Sequence, residues 1–258
     1  GMAGRVTVLA GSAGYPGAAA LAASGALRGG AGLVYLASPP SSAAAVATRC
    51  PPEIIIRQVA GPLEVLENQP DALVIGPGLV PPSTDWHDGF IQLLETTSVP
   101  LVLDAEALNF LAVRQRLDLL RSNHLLTPHP GEFARLAPDL AALPREEAAR
   151  RFVDRHPCAL LLKGCRTLVT AAGEPLWCNP TGHPGMAVGG QGDTLAGVIG
   201  ARLAIGDPLV TAACFASWCC GRAAEIAVDH LGAGESYTPT TGLDHLGAAL
   251  RDWRERRR

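Results

Sequence analysis

The chain has 258 residues, of which 48% are hydrophobic and 17% charged, a composition that supports a sizeable core and excludes the disordered class. Its formal net charge is −3, which supplies no electrostatic reason to expect nucleic acid or an anionic membrane as a partner. No apolar stretch approaches the roughly 20 residues of a membrane-spanning helix, and seven cysteines without a C-x-x-C pair predict reduced thiols in a cytoplasmic protein.

Short apolar runs alternate with helical patterns along the chain. Strands are predicted at Arg5–Ala10, Leu33–Ala37, Ile54–Gln58, Ala72–Gly76, Leu101–Leu103, His124–Thr127, Cys158–Lys163 and Thr167–Thr170. Helices are predicted at Ala18–Leu27, Ile91–Thr96, Glu106–Val113 and Glu146–His156, near Asp193 through an apolar run to Ile205, and around residues 214–220. Most strands are continuously apolar, as strands buried on both faces are. We therefore predict an α/β fold with a mostly parallel central sheet and helices on both faces.

No linker of biased composition divides the chain. Residues 1–258 are therefore predicted to form a single domain, in which Gly1 before Met2 is interpreted as the remnant of an expression tag.

Polar and glycine-rich segments follow several of the predicted strands. They include residues 76–78, Asp104, residues 127–132 and Lys163. In open α/β sheets ligands bind beyond the carboxyl ends of the strands, so a crevice is predicted at this edge. Lys163 is the only lysine among 21 Lys and Arg residues, and its place at a strand end favours a nucleotide-facing role over an accident of composition.

The most informative motif is G-M-A-V-G-G-Q-G-D-T-L-A-G at residues 185–197, in which three glycines precede Asp193. Glycines let backbone N–H groups approach a ligand closely, and a helix that begins near Asp193 adds the positive end of its dipole. This arrangement predicts a phosphate site. Because a carboxylate repels phosphate, Asp193 is better suited to act as a general base that takes a proton from an attacking hydroxyl. An ordinary loop with a helix-capping aspartate is the alternative.

Six segments carry a resemblance to a known family. They are L-A-G-S at 9–12 with residues 17–18, V-I-G-P-G-L at 74–79, L-D-A-E-A-L-N at 103–109, L-L-T-P-H-P-G-E-F at 125–133, L-L-L-K-G-C-R-T at 160–167, and N-P-T-G-H-P-G-M-A-V-G-G-Q-G-D-T-L-A-G at 179–197. In this order they resemble the ADP- or ATP-dependent NAD(P)H-hydrate dehydratases of the ribokinase-like superfamily. The resemblance implies a ribokinase-like fold and a lyase that repairs hydrated NADH and NADPH (NADHX and NADPHX). In that reaction the ring hydroxyl is phosphorylated from a nucleotide, and phosphate then leaves.

The resemblance also implies the roles of individual residues. Asp193 would be the catalytic base, and the anion hole would comprise Gly189, Gly190, Gln191 and Gly192. The adenine nucleotide would bind at Lys163, Gly164, Cys165, Arg166, Thr167 and Gly192. The hydrate would contact Ala18, Gly78, His129 and Asp193. Glu132 would help to hold Mg²⁺ through water.

Departures from the family pattern leave alternatives open. Glu106, His183 and Gln191 replace the usual residues, and an N-terminal His-Lys-Gly-x-Tyr-Gly segment is absent. A kinase of the same superfamily acting on a sugar, hydroxyethylthiazole or hydroxymethylpyrimidine is one alternative, and an inactive nucleotide-binding relic is another. A cytoplasmic homo-oligomer is expected. ADP is expected as the donor in preference to ATP, because no targeting segment is visible and bacterial members tend to use ADP.

Overall fold

A computed structural model describes residues 3–81 and 83–256, so the proposed tag remnant at Gly1 lies outside the described residues. These ranges contain nine strands and nine α-helices. The strands are β1 (Arg5–Leu9), β2 (Leu33–Ser38), β3 (Ile55–Gln58), β4 (Ala72–Ile75), β5 (Leu101–Leu103), β6 (His124–Leu126), β7 (Ala159–Leu162), β8 (Leu168–Ala171) and β9 (Trp177–Cys178). The helices are α1 (Pro16–Arg28), α2 (Pro40–Ala47), α3 (Thr84–Thr96), α4 (Glu106–Val113), α5 (Pro130–Leu136), α6 (Arg145–Arg155), α7 (Gln191–Ala204), α8 (Leu209–Leu231) and α9 (Pro239–Glu255).

The strands form one sheet in the order β3-β2-β1-β4-β5-β6-β7-β8-β9. Neighbours from β3 to β7 run parallel, whereas β8 pairs antiparallel with both β7 and β9. The strand order reverses between β1 and β4, and at such a point the connections diverge and leave a crevice beyond the carboxyl ends.

Helices cover both faces of this sheet. The apolar side chains of α1, α2, α7, α8 and α9 pack on one face, and those of α3, α4, α5 and α6 pack on the other. The predicted α/β fold with a mostly parallel, doubly covered sheet is therefore confirmed. None of the helices in the described ranges combines the length and apolar character needed to span a membrane.

All eight predicted strands are present, with ends shifted by no more than one residue. No element was predicted at β9, α2 or α5, and the predicted start of α3 was late, at Ile91 instead of Thr84. Helices α2, α5 and α9 each begin with a proline. Proline is favoured at the first helical position, where its missing N–H costs nothing.

Helices α1 and α7 pack with their backbones in contact. A Cβ built on Gly197 would collide with the carbonyl oxygen of Ala22, and one on Gly25 would collide with that of Thr194. Only glycine at these positions permits so close an approach. This contact fixes the position of α7 beside the sheet. It therefore also fixes the position of the first turn of α7, where Asp193 lies.

Candidate active site

Three polar side chains from consecutive sheet strands meet at the carboxyl edge. The Lys163 Nζ lies 2.7 Å from Asp104 Oδ1, and Thr127 Oγ1 donates a hydrogen bond of 2.9 Å to the same oxygen. Asp104 is only 1% exposed, so an unpaired charge there would be costly. Burial lowers the pKa of Lys163, but the charges of Asp104 and Glu132 outweigh this effect and raise its pKa overall. The lone lysine is therefore a charged partner of a buried carboxylate.

Asp193 lies beside this ion pair, at the third residue of α7. The pKa of its carboxyl is raised to about 7, chiefly by burial, and further by the charge of Asp104, whereas Lys163 acts in the opposite direction. A carboxylate with a pKa near 7 is a stronger base than an ordinary aspartate and still loses its proton at neutral pH. These are the properties that general-base catalysis requires.

The first turn of α7 has free backbone donors. Gly190 precedes the helix with φ +93°, a conformation that favours glycine, and no side chain of the described residues caps this end of the helix. Because the first-turn N–H groups of a helix have no acceptor within it, they are available to an anion, whose charge the helix dipole also favours. A Cβ on Gly192 would come 3.0 Å from Lys163 Nζ, so the ammonium lies against this turn.

Gln191, the first residue of α7, is positioned by a residue that lies outside the glycine-rich motif. The Tyr237 hydroxyl donates a hydrogen bond of 2.8 Å to Gln191 Oε1, and Tyr237 is only 4% exposed. Sequence reasoning noted Gln191 as a departure from the usual Ser or Thr but had no signal for its partner, which lies 46 residues away.

A cavity of about 710 Å³ opens beside the first turn of α7. All six residues predicted to bind the nucleotide line it, namely Lys163, Gly164, Cys165, Arg166, Thr167 and Gly192. Gln191 and His129 line it as well, whereas Gly189, Gly190, Asp193, Ala18 and Gly78 do not. The volume lies within the range typical of small-molecule sites.

Residues of the segment 179–187 also line the cavity; sequence reasoning treated this segment as a family signature without assigning it a place. Asn179 Nδ2 donates to the carbonyl oxygen of Ser217 on α8, and Thr181 Oγ1 donates to that of Trp218. These bonds fasten the segment to α8, and Ser217 and Cys220 of the same helix line the cavity as well.

His129 and Glu132 cap the N-terminus of α5 reciprocally. His129 Nδ1 accepts from the N–H groups of Gly131 and Glu132, while Glu132 Oε2 accepts the His129 N–H at 2.8 Å. Glu132 is 6% exposed, and its Oε2 lies 3.9 Å from Lys163 Nζ. Within the ranges that the structure describes, no three His, Cys, Asp or Glu side chains form a group able to hold a metal ion. A role for Glu132 toward Mg²⁺ stays a prediction.

Ala18 and Gly78 come together at the start of α1. A Cβ on Gly78 would lie 2.8 Å from the Cβ of Ala18 and from that of Tyr15, and the Gly11 N–H donates to the carbonyl oxygen of Pro77. Tyr15 is 61% exposed at this place, an exposed aromatic ring that sequence reasoning did not single out. Leu21 of the same helix lies against Gly190, so this surface is joined to the first turn of α7.

Comparison with known proteins identifies relatives of this arrangement. A family model described as NAD(P)H-hydrate dehydratase matches residues 6–246. The chain is 41% identical over 209 residues to the bifunctional NAD(P)H-hydrate repair enzyme Nnr of Gloeobacter violaceus, covering 78% of this chain and 41% of that protein. It is 35% identical over 237 residues to the ADP-dependent (S)-NAD(P)H-hydrate dehydratase of Neisseria meningitidis serogroup B, covering 89% and 79% of the two chains. The chain thus spans about two fifths of the length of the first bifunctional relatives.

Two solved structures extend the comparison. A ribokinase-like superfamily protein from Enterococcus faecalis superposes with a TM-score of 0.84 at 24% identity, over 98% of this chain and 88% of the other, and establishes the ribokinase-like fold. The ADP/ATP-dependent NAD(P)H-hydrate dehydratase of Bacillus subtilis, co-crystallised with ATP/Mg²⁺, gives a TM-score of 0.79 at 28% identity over 97% and 90% of the two chains.

Proposed function

This chain belongs to the NAD(P)H-hydrate dehydratase family, and from that premise we propose that it dehydrates NADHX and NADPHX at the expense of an adenine nucleotide. The enzyme is then a carbon–oxygen lyase of nicotinamide nucleotide repair. The observation that carries this proposal is the position of Asp193, a carboxyl with a pKa of about 7 in the uncapped first turn of α7.

The reaction begins with phosphoryl transfer. Asp193 takes the proton of the ring hydroxyl while the hydroxyl oxygen attacks the terminal phosphorus of the nucleotide. A bond forms between this oxygen and phosphorus, and the bond from phosphorus to the bridging oxygen breaks, which releases AMP when ADP is the donor. The N–H groups at Gly189, Gly190, Gln191 and Gly192 serve as the anion hole for the charge on the transferred group.

The second step is elimination. The electron pair of the ring nitrogen expels phosphate by breaking the carbon–oxygen bond, and the neighbouring carbon loses a proton. The ring double bond is thereby restored and the reduced cofactor is recovered. Phosphorylation matters because phosphate leaves far more readily than hydroxide.

The adenine nucleotide occupies the cavity of about 710 Å³. The proposed contacts are Lys163, Gly164, Cys165, Arg166, Thr167 and Gly192, all of which line it. The charge of Lys163 is already shared with Asp104. We therefore assign Lys163 a dual role, in which it balances the buried carboxylate and adds positive potential beside Gly192. The hydrate contacts Ala18, Gly78, His129 and Asp193.

The chemistry of the site fits Mg²⁺. Three carboxyl groups, Asp104, Glu132 and Asp193, surround one ammonium group, so the cluster carries surplus negative charge when Asp193 is ionised. Mg²⁺ keeps several waters and binds through one or two carboxylates and the phosphates, so a cage of three protein ligands is not required. Glu132 is the residue proposed to hold it through water. The ion, when bound, supplies neutralisation of the phosphate charge.

The remaining parts of the proposal concern the phosphoryl donor, the cellular location, the domain organisation and the oligomeric state. ADP is proposed as the donor in preference to ATP, in keeping with the name of the Neisseria relative. A cytoplasmic location is proposed because all seven cysteines are free thiols. One continuous sheet across the described ranges supports a single domain. A homo-oligomer is proposed from the family resemblance alone.

The test is incubation of the purified protein with NADPHX, Mg²⁺ and either ADP or ATP. We expect recovery of the reduced-ring absorbance in step with release of phosphate and of AMP from ADP. Phosphate release without cofactor recovery would remove the dehydratase assignment. A stable phosphorylated alcohol with no new absorbance, found with small alcohol substrates, would assign the chain to the small-molecule kinases. No nucleotide consumption with any substrate would mark an inactive relic.

A further inference from the structure

One arginine outside every motif organises the loop that follows β7. Arg145, the first residue of α6, donates from Nη1 to the carbonyl oxygen of Cys165 at 2.8 Å. It also donates from Nη2 to the carbonyl oxygens of Leu162 and Lys163, at 3.2 and 3.3 Å. A single guanidinium group therefore binds three carbonyls of one turn. A planar fork with several donors is suited to this task, and a lysine ammonium is not.

The guanidinium group lies where a side chain would otherwise be. A Cβ on Gly164 would come 3.1 Å from Arg145 Nη2. Gly164 has φ +142°, and the next residue but one, Arg166, has φ +56°, which is the left-handed region for a residue that is not glycine. Backbone conformations of this kind persist only where surrounding contacts hold them. Arg145 supplies such contacts.

The geometry of the peptide bond then decides where the loop's donors point. In a trans peptide the carbonyl of one residue and the N–H of the next point in opposite directions. Because the carbonyls of Lys163 and Cys165 point toward Arg145, the N–H groups of Gly164 and Arg166 point away from it. In the part of the chain that the structure describes, neither N–H group donates a hydrogen bond to protein. Both residues line the cavity of about 710 Å³.

We propose that Arg145 is a positioning residue that holds the loop 163–166, so that the N–H groups of Gly164 and Arg166 face acceptor atoms of the adenine nucleotide. This inference rests on the proposed function, because it presumes that the cavity binds a nucleotide. Arg145 itself contacts the loop and is not among the residues that line the cavity. Its loss therefore affects the binding of the nucleotide and leaves the base, Asp193, in place.

The decisive measurement compares Arg145→Met with Arg150→Met by calorimetric titration with ADP and with ATP in the presence of Mg²⁺. Arg150 belongs to the same helix, is exposed and makes no ion pair in the described structure, so it controls for loss of charge on α6. We expect Arg145→Met to weaken nucleotide binding about tenfold or more, since three hydrogen bonds to a charged group are lost. We expect Arg150→Met to change it less than about twofold.

Steady-state kinetics distinguish a positioning role of Arg145 from a general loss of structure in the variant. In Arg145→Met the KM for the nucleotide should rise, while the KM for NADPHX and the kcat at saturating nucleotide stay close to those of the unaltered protein. Millimolar methylguanidinium should restore part of the lost affinity in Arg145→Met and have no effect on Arg150→Met. Equal affinity in Arg145→Met and the unaltered protein would overturn the inference while leaving the proposed function intact. Failure of the unaltered protein to bind ADP and ATP would overturn the proposed function first.

Arg145→Lys keeps the test decisive if Arg145→Met does not fold. The lysine retains the positive charge and the helix-forming stem, but its single ammonium cannot bridge the three carbonyls. We expect Arg145→Lys to bind the nucleotide more weakly than the unaltered protein as well. Full affinity in Arg145→Lys would mean that charge alone matters, and would remove the positioning role.

Discussion

Asp104 and Asp193 show how position decides what a carboxylate can do. Both belong to one cluster with Lys163, yet Asp104 is fully buried, paired with the ammonium and bonded to Thr127. Asp193 has no hydrogen bond of its side chain in the described structure, and burial together with the charge of Asp104 raises its pKa to about 7. Asp104 is consequently the partner of Lys163 and Thr127, whereas Asp193 is the group placed to take up and release a proton.

At this scale the first prediction concerns Asp193→Asn. The amide keeps the size of the side chain but cannot accept the hydroxyl proton, and loss of a general base commonly lowers the rate by ~10²–10⁴-fold. We expect turnover of NADPHX to fall by this amount while ADP and ATP affinity, measured by calorimetry, stays within about threefold. Asp154→Asn, an exposed aspartate of α6, is the control and should retain full activity. Retention of more than about a tenth of the activity in Asp193→Asn would exclude Asp193 as the base.

At the scale of elements, the site depends on the way α1 supports α7. Gly25 and Gly197 let the two backbones touch, and Gly200 of α7 lies against Val74 of β4. The first turn of α7 is thereby held against both α1 and the sheet. The proposed anion hole and the proposed general base both lie at this turn, so a change in helix packing would move them together.

Gly197→Ala tests this dependence. A Cβ at residue 197 meets backbone atoms of Ala22 and Ala26, which cannot give way as a flexible side chain can. We expect the free energy of unfolding, measured by urea titration, to fall by about 2–3 kcal/mol, together with a loss of turnover. Gly247→Ala in α9 meets no atom within 4 Å and should instead stabilise by about 0.5–1 kcal/mol, as alanine does in an exposed helix. Equal effects of the two substitutions would contradict the proposed role of the helix contact.

At the scale of the whole molecule, the protonation of His124 and of Asp193 has opposite effects on the stability of the fold. Burial lowers the pKa of His124 to about 4, with the charge of Arg121 as a smaller cause, whereas the pKa of Asp193 is raised to about 7. Between pH 4.5 and 6.5 the unfolded chain holds a proton on His124 that the folded protein lacks, so acidification destabilises the fold through this residue. In the same window the folded protein holds a proton on Asp193 that the unfolded chain lacks, so acidification stabilises the fold through that residue.

In the unaltered protein the two effects should nearly cancel. In Asp193→Asn the effect of residue 193 is absent and that of His124 remains. From pH 6.5 to 5.5 we expect the unfolding free energy of Asp193→Asn to fall by about 1 kcal/mol more than that of the unaltered protein, since one bound proton changes it by about 1.4 kcal/mol per pH unit. Urea titrations at both pH values measure this difference. His156, whose pKa is also lowered, affects the unfolding free energy of both proteins equally and so does not change the difference between them. Parallel pH dependence of the two proteins would show that Asp193 is not protonated in this range.

Some features of this protein were determined by the sequence alone, because they depend on residues that are neighbours in the chain. The apolar runs located eight strands to within one residue, since burial on both faces of a parallel sheet requires uninterrupted apolar side chains. The glycines and Asp193 of the first turn of α7 are contiguous, so a local motif was sufficient to predict a helix end with a carboxyl group. The same segments identified the family that the comparisons then established.

Other features were decided only by the tertiary structure, because they join residues that are distant in the chain. Lys163 and Asp104 are 59 positions apart, Tyr237 and Gln191 are 46 apart, and Arg145 and Cys165 are 20 apart. Such pairs depend on the order of strands in the sheet and on the packing of helices against it, neither of which leaves a periodic signal in a single sequence. The pKa of Asp193 is of the same kind, since burial and the field of Asp104 exist only once β5, β7 and α7 have come together. A motif located Asp193 as the proposed catalytic base, but the fold sets the pKa of its carboxyl.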